Sequence, residues 1–451
     1  VKTKALTIIA SIALSACGAE QASQPAPVDS EPVAFVQRFE WKWPDIAREC
    51  EEHLGPAGYT AVQVSPPNEH ITGPAWWTRY QPVSYKIESR GGTREEFADM
   101  VARCKAAGVG IYADAVINHM AGFPEGTGVA GSAFSEYDYP AVPWTENDFH
   151  HCGLNDQDTV VNYDNLEEFQ TCQLGTLDDL DTGKPEVQAR IATYLNDLLS
   201  LGVAGFRLDA VKHIHHDELH QILQLVDGHP FIYQEVIDRG GEAIDAKNYL
   251  RDGYVTEFKY AATILEAFER GDLDALTEFW KEPGWLPADK AIVFVDNHDI
   301  QRGHAFGDEV VNYKDGKRYE LAVAFMLAHP YGYPLVMSSY AFETDQDGPP
   351  NVSPHEGCDD VWVCEHRRDS RAAMLQFRSA VQGSELTNWQ IIDGRVLSFG
   401  RGDRGHVLIN TSDESVGINV ITRLAAGTYA DLPGGSNVEV GEDGHIRLTL
   451  G

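Results

Sequence analysis

Thr93-Arg94-Glu95-Glu96-Phe97-Ala98-Asp99-Met100-Val101-Ala102-Arg103-Cys104-Lys105-Ala106-Ala107-Gly108-Val109-Gly110-Ile111-Tyr112-Ala113-Asp114 holds one complete structural unit. Thr93 and Glu96 have the spacing of a capping box, in which each residue satisfies a backbone donor of the other's turn. Phe97, Met100, Val101 and Cys104 fall at i, i+3, i+4 and i+7, one face of a helix. Gly108 suits the helix stop, because glycine enters the left-handed region without a Cβ clash. Residues 109–113 then read as a buried strand that ends on a carboxylate, Asp114.

The same unit recurs along the chain. Val187, Ile191, Tyr194, Leu195, Leu198 and Leu199 define a second helical face, closed by Gly202 and followed by a strand at 203–208 that ends at Asp209. Further strands are expected at 33–39, 61–64, 231–234, 254–258, 291–295 and 334–337, making eight in all. Eight strands alternating with helices suit a (β/α)₈ barrel, with a doubly wound sheet as the alternative. Polar residues at so many strand ends favour the barrel. Residues 120–180 are long and irregular and read as an excursion after the third strand. Beyond about residue 380 the helical period stops. Val396-Leu397-Ser398-Phe399, His406-Val407-Leu408-Ile409 and Ile446-Arg447-Leu448 suggest a small antiparallel β domain over 381–451.

The chain starts with Lys2 and Lys4, an apolar run from Leu6 to Leu14, and Leu14-Ser15-Ala16-Cys17. Residues 1–17 therefore read as a lipoprotein-type export signal with Cys17 lipidated, a plain signal peptide being the alternative. Residues 18–32 are rich in Pro, Ala, Ser and Gln and read as a disordered tether. Without Cys17, Cys50, Cys104, Cys152, Cys172, Cys358 and Cys364 remain, an even number that in an exported chain suggests three disulfides. Spacing does not choose among their pairings, and the lack of any C-x-x-C pair disfavours zinc. With 35 Lys and Arg against 69 Asp and Glu, the formal charge is −34, which excludes nucleic acid as a natural partner.

The strand ends carry Asp114, Asn118, His119, Arg207, Asp209, Lys212, His213, Glu235, Asn297, His298 and Asp299. Carboxylates gathered on one barrel face suit glycoside hydrolysis, although a rim of ion pairs would use the same residue types. The strings around them are more specific. Asp114-Ala115-Val116-Ile117-Asn118-His119, Gly205-Phe206-Arg207-Leu208-Asp209-Ala210-Val211-Lys212-His213, Gln234-Glu235-Val236-Ile237 and Phe294-Val295-Asp296-Asn297-His298-Asp299 occur in that order. They resemble the four signature regions of the α-amylase family, glycoside hydrolase family 13. Trp76-Trp77-Thr78-Arg79-Tyr80-Gln81-Pro82-Val83-Ser84-Tyr85, Val336-Met337-Ser338-Ser339-Tyr340 and Cys364-Glu365-His366-Arg367 resemble its animal-type, chloride-activated branch, which also occurs in some marine bacteria.

The resemblance implies a barrel at 33–119 and 181–380, a calcium-binding insertion at 120–180, and endo-hydrolysis of α-1,4 bonds in starch, glycogen and malto-oligosaccharides with retention. It implies Asp209 as nucleophile, Glu235 as acid and base, and Asp299 as stabiliser of the oxocarbenium-like sugar, with Asp209 and Glu235 roughly 5–5.5 Å apart. Trp76, Trp77, Tyr80, Gln81, His119, Arg207, Lys212 and His298 are the expected sugar contacts. Calcium would be held by Asn118, Asp179 and the backbone carbonyls of Gln170 and His213, an oxygen set that suits this ion. The implied disulfides are Cys50–Cys104, Cys152–Cys172 and Cys358–Cys364, and a monomer is expected.

Three departures stand out. Arg207 and Asn297 match two chloride ligands of the branch, but Leu335 replaces the third, a basic residue, so chloride binding is expected to be weak or absent. Ala305-Phe306-Gly307-Asp308 replaces a glycine-rich stretch, and the C-terminal segment stops at Gly451, about one strand short of the family pattern.

Overall fold

Residue parity along the strands builds the barrel. In this computed structural model, residues 7–10 (backbone only), 32–307 and 309–451 are described. The eight barrel strands are β1 (Phe35–Arg38), β2 (Ala61–Val64), β3 (Gly110–Ala115), β4 (Gly205–Leu208), β5 (Phe231–Gln234), β6 (Tyr254–Thr256), β7 (Ala291–Val293) and β8 (Tyr333–Ser338). Each is hydrogen-bonded in parallel to its sequence neighbours, and β8 pairs with β1 to close the ring. The (β/α)₈ expectation holds, and the doubly wound sheet is excluded by that closure.

Successive side chains of a strand point to opposite faces. One parity, including Val36, Val62, Val64, Ile111, Phe206, Leu208, Val255 and Val336, packs outward in the main core with the helices. The other parity, including Phe35, Ala61, Tyr112, Tyr233, Ile292, Tyr333 and Leu335, forms a separate apolar plug inside. Phe35 is its hub, with ring centroids 5.5 Å from Tyr112, 5.4 Å from Tyr233 and 4.8 Å from Tyr333. Gly205 is required in this layer: a Cβ there would lie 2.4 Å from the carbonyl oxygen of Phe231. The plug seals the lower barrel, so the polar groups at the C-terminal strand ends stand on an apolar floor.

The helix of the opening stretch spans Arg94–Ala106, with both capping-box bonds present and Phe97, Met100, Val101 and Cys104 buried as expected. The second helix spans Pro185–Ser200 and buries Val187, Ile191, Tyr194, Leu195 and Leu198, while Leu199 is only partly buried. Strand ends move by at most two residues from expectation. The clearest case is β6, which stops at Thr256 because the Glu257 side chain accepts from the Lys259 amide and turns the chain into the helix Phe258–Ile264. At the seam of the ring, Arg38 of β1 donates to Ser338 Oγ of β8 at 2.7 Å and pairs with Glu49 at 3.6 Å.

The stretch between β3 and the Pro185 helix contains a small hairpin (Glu125–Thr127 with Ala133–Ser135) and a short helix, Leu166–Thr171. The disulfides are Cys50–Cys104, Cys152–Cys172 and Cys358–Cys364, the pairs that the resemblance implies. After the helix Asp369–Ala380, seven strands from Leu386 to Leu450 form an antiparallel sheet with its own core of Val396, Leu408, Ile418, Val420, Val440 and Ile446. Thr7–Ala10, inside the expected export signal, adds a strand to this sheet between Gly405–Asn410 and Gly427–Asp431. The Leu14–Cys17 motif and residues 18–31 of the tether lie outside the described residues. No helix among the described residues is long and apolar enough to cross a membrane.

Candidate active site

Arg207 shares the inward parity of the plug but stands one layer above it, at 3 % exposure. Its Nη1 lies 2.7 Å from Asp114 Oδ1 and 2.8 Å from Asp209 Oδ1, while Nη2 lies 2.6 Å from Glu235 Oε1 and 3.8 Å from Asp299 Oδ2. The Glu235 contact is one of charge rather than an aligned hydrogen bond. Asp114 is held further by the Tyr80 hydroxyl at 2.9 Å and the Gln63 amide at 3.3 Å. Asp114 lies at the end of β3 and the other three follow β4, β5 and β7, so only ring closure brings them to one guanidinium. Ala210, directly after Asp209, has φ of 50°, and its amide donates to Glu235 Oε2 at 2.9 Å. A non-glycine residue in that region costs of order 1 kcal/mol or more, and here the strain aims a donor at a carboxylate.

Burial dominates the electrostatics. Asp209 is pushed up to about 8 by burial and by the negative charges of Glu235 and Asp114, against the pull of Arg207. Asp299 is pushed well above the usual carboxylate range by burial and then by Glu235. Burial and mutual repulsion therefore both disfavour the charged forms of Asp209 and Asp299. Burial lowers His119 to about 4 and His298 well below its ordinary value, so both imidazoles are neutral there. Neutral rings hydrogen-bond without adding charge. His119 Nε2 lies 3.0 Å from the Tyr80 carbonyl oxygen, and His298 Nδ1 lies 2.9 Å from Gln37 Nε2. His298 is also stacked between Phe39 and Tyr80, at 4.7 and 5.1 Å.

Above this floor opens a cleft of about 760 Å³, lined by Trp76, Trp77, Tyr80, Gln81, His119, Asp209, Lys212, Glu235, His298 and Asp299 among others. Trp76 is largely a wall: it is 5 % exposed and its indole donates to the Asp345 carbonyl at 2.6 Å. Trp77 is more open and donates to Gln346 Oε1 at 2.6 Å. Arg207 lies beneath the cleft, where it pairs with Asp114, Asp209 and Glu235.

The cleft wall also includes Tyr163, Arg239, Glu242 and His304, which the sequence reading missed. Tyr163 sits in the irregular excursion and Glu242 follows a Gly-Gly pair, so neither carries a periodic signal; the Gly240-Gly241 loop beside a strand end was the available hint. In the departure from the glycine-rich stretch, Ala305 has φ of 74° and its carbonyl accepts from Arg239, while Phe306 packs 6.4 Å from Phe258.

The candidate calcium donors fall into two adjoining pairs. Asn118 Nδ2 donates to Asp179 Oδ1 at 3.1 Å. The His213 ring lies flat on Phe169 at 4.4 Å and bonds its carbonyl at 3.0 Å, beside Gln170. Asp178 is instead engaged by Tyr137 and Tyr139, and Asp181 by Lys184. Asp179 is 2 % exposed and burial pushes it up to about 6, against the favourable contacts of His150 and Asn118. The Asp179 oxygens face Asn118 Nδ2 and His150 Nδ1, and a carboxylate, an amide oxygen and backbone carbonyls are the donor types that suit a hard divalent cation. Of the chloride candidates, Asn297 uses its Oδ1 to cap the turn, accepting from the amides of Asp299 and Ile300 at 3.0 and 2.9 Å. Leu335 belongs to the apolar plug with Phe35 and Tyr233.

Comparison with known proteins agrees with this arrangement. Residues 62–240 match the family model "Alpha amylase, catalytic domain". The chain is 42% identical to human "Alpha-amylase 1B" over 469 residues, covering 92% of each protein. It is 42% identical over 448 residues to an "Alpha-amylase" of Streptomyces violaceus, covering 99% of this chain and 77% of that protein. The crystal structure of wild-type alpha-amylase I from Eisenia fetida superposes with a TM-score of 0.88 at 36% identity, covering 93% of this chain and 95% of that one. A mutant of that enzyme in complex with maltohexaose superposes with a TM-score of 0.89 at 36% identity, covering 95% and 97%. The chain belongs to the α-amylase family, glycoside hydrolase family 13.

Proposed function

We propose that the chain hydrolyses internal α-1,4-glucosidic bonds of starch, glycogen and malto-oligosaccharides by retaining double displacement. The observation that carries this reading is the set of carboxyls around Arg207 at the floor of an open cleft. Asp209 attacks the anomeric carbon and forms a covalent glycosyl-enzyme, while Glu235 gives its proton to the departing glycosidic oxygen. Glu235 then takes a proton from water, whose oxygen attacks the same carbon and releases Asp209. Asp299, 3.3 Å from His298 Nε2, stabilises the positive sugar and holds its hydroxyls. Asp209 and Glu235 sit on the two terminal nitrogens of one guanidinium, and the retaining course is the one the family resemblance implies. Loops after β2, β4, β5 and β7 flank the carboxyls, leaving a cleft that suits attack within a chain.

Calcium is the proposed cofactor, held by Asn118, Asp179 and the carbonyls of Gln170 and His213. When bound, it would tie the excursion after β3 to the loop after β4 electrostatically. Chloride is not proposed as an activator, because the Leu335 side chain offers no charge and Arg207 is already committed to carboxylates. Export with Cys17 as a lipidated N-terminus is proposed from the Leu14–Cys17 motif, and the three disulfides are consistent with an oxidising compartment.

Four outcomes are expected. On blocked-end starch the wild type releases reducing ends, and Glu235→Gln lowers kcat by about 10²–10⁴-fold, the range of general acid–base catalysis; an inactive wild type would overturn the endo reading. Adding NaCl to a chloride-free assay leaves kcat unchanged, and a strong increase would refute the role given to Leu335. Chelation of calcium lowers Tm by several degrees, CaCl₂ restores it, and Asp179→Asn blunts that response; a Tm indifferent to both would remove the calcium assignment. Intact-mass analysis of the exported protein finds Cys17 first and carrying lipid, with Thr7–Ala10 removed; a mass that includes residues 1–16 rejects this cleavage.

A further inference from the structure

We infer that Phe123 extends the Trp77 end of the cleft as a stacking platform for one more glucose ring of a long chain. The inference rests on the α-amylase reading. A singly exposed apolar residue is common on a protein surface, and what sets Phe123 apart is its position beside Trp77. Phe123 is 44 % exposed, the one phenylalanine among the described residues left so open. Its ring is nearly parallel to that of Trp77, with an interplanar angle of 10° and centroids 6.5 Å apart. Two flat apolar faces with a common tilt, one in the cleft wall and the other just beyond it, match the CH faces of successive sugar rings.

The platform is fixed in advance. The Trp77 indole is anchored through Gln346. The residue before Phe123, Gly122, donates its amide to Gln81 Oε1 at 3.1 Å and accepts from Thr176 Oγ1 at 3.2 Å. Both partners line the cleft. A Cβ at Gly122 would lie 2.7 Å from the Thr176 carbonyl oxygen, so glycine lets the two segments approach this closely. Pro124 restricts Phe123 from the other side, because the residue before proline is confined to extended conformations. A backbone held this way loses little entropy when a sugar lands beside it.

The test compares kcat/KM on maltoheptaose and on a chromogenic aryl maltotrioside for wild type, Phe123→Ala, Phe123→Leu and Phe123→Trp, with Tm measured for each. Phe123→Ala should lose about three- to tenfold on maltoheptaose, mainly through KM, and much less on the trioside, the size expected for one stacking contact. Phe123→Trp should retain the preference for the long substrate, whereas Phe123→Leu, apolar but not flat, should behave like the alanine variant. An unchanged long-to-short ratio in Phe123→Ala at wild-type Tm, or a leucine variant equal to wild type, overturns the inference. A wild type that cleaves neither substrate overturns the α-amylase reading, and this inference with it.

Discussion

A single buried cation, Arg207, organises the catalytic face. Removing a guanidinium from water is costly, and only close, well-placed counter-charges offset that cost. Here the counter-charges are the carboxyls of Asp114, Asp209, Glu235 and Asp299, drawn from four different strand ends. The clamp therefore works in both directions. The barrel must close for the carboxyls to meet, and once they meet, the cation keeps several negative groups from repelling one another apart. The same crowding, with burial, pushes Asp209 and Asp299 above the usual carboxylate range.

The layer beneath makes this possible. Phe35, Tyr112, Tyr233 and Tyr333 fill the barrel below Arg207 with rings rather than water, lowering the local dielectric and strengthening every charge contact above. The plug residues themselves include no cysteine. The excursion after β3 is different. It contains little regular structure and is held by Cys152–Cys172, by the bonds of Asp178 and by the Asn118–Asp179 contact at the barrel mouth. A cation at Asp179 would reinforce the one place where an irregular segment shapes the cleft.

Much of this was legible in the chain. The capping box at Thr93 and Glu96, the apolar faces of two helices and all eight barrel strands follow from local pattern, because periodicity reports burial directly. The signature strings located the carboxyls and histidines, because their chemistry demands those residue types at strand ends. Strand limits were less legible, since a strand ends where its neighbour's ladder ends or where a side chain such as Glu257 caps the next helix. Arg207 and Asp209 were legible as neighbours on one strand face, but spacing along a strand does not say that Asp114 and Glu235 meet the same guanidinium. Tyr163, Arg239 and Glu242 were missed because residues in aperiodic loops carry no pattern that tells a cleft wall from a solvated turn.

The sequence by itself determined the repeating strand and helix units, the oxidisable cysteines, the acidic charge and the identity of the reacting groups, all of which depend on local order or residue chemistry. The tertiary structure decided which parity faces the barrel axis, which carboxyls share one guanidinium, which of the neighbouring aspartates meets Asn118, and which aromatic rings lie parallel along the cleft. Those are distances between residues far apart in the chain, and they exist only after the ring has closed.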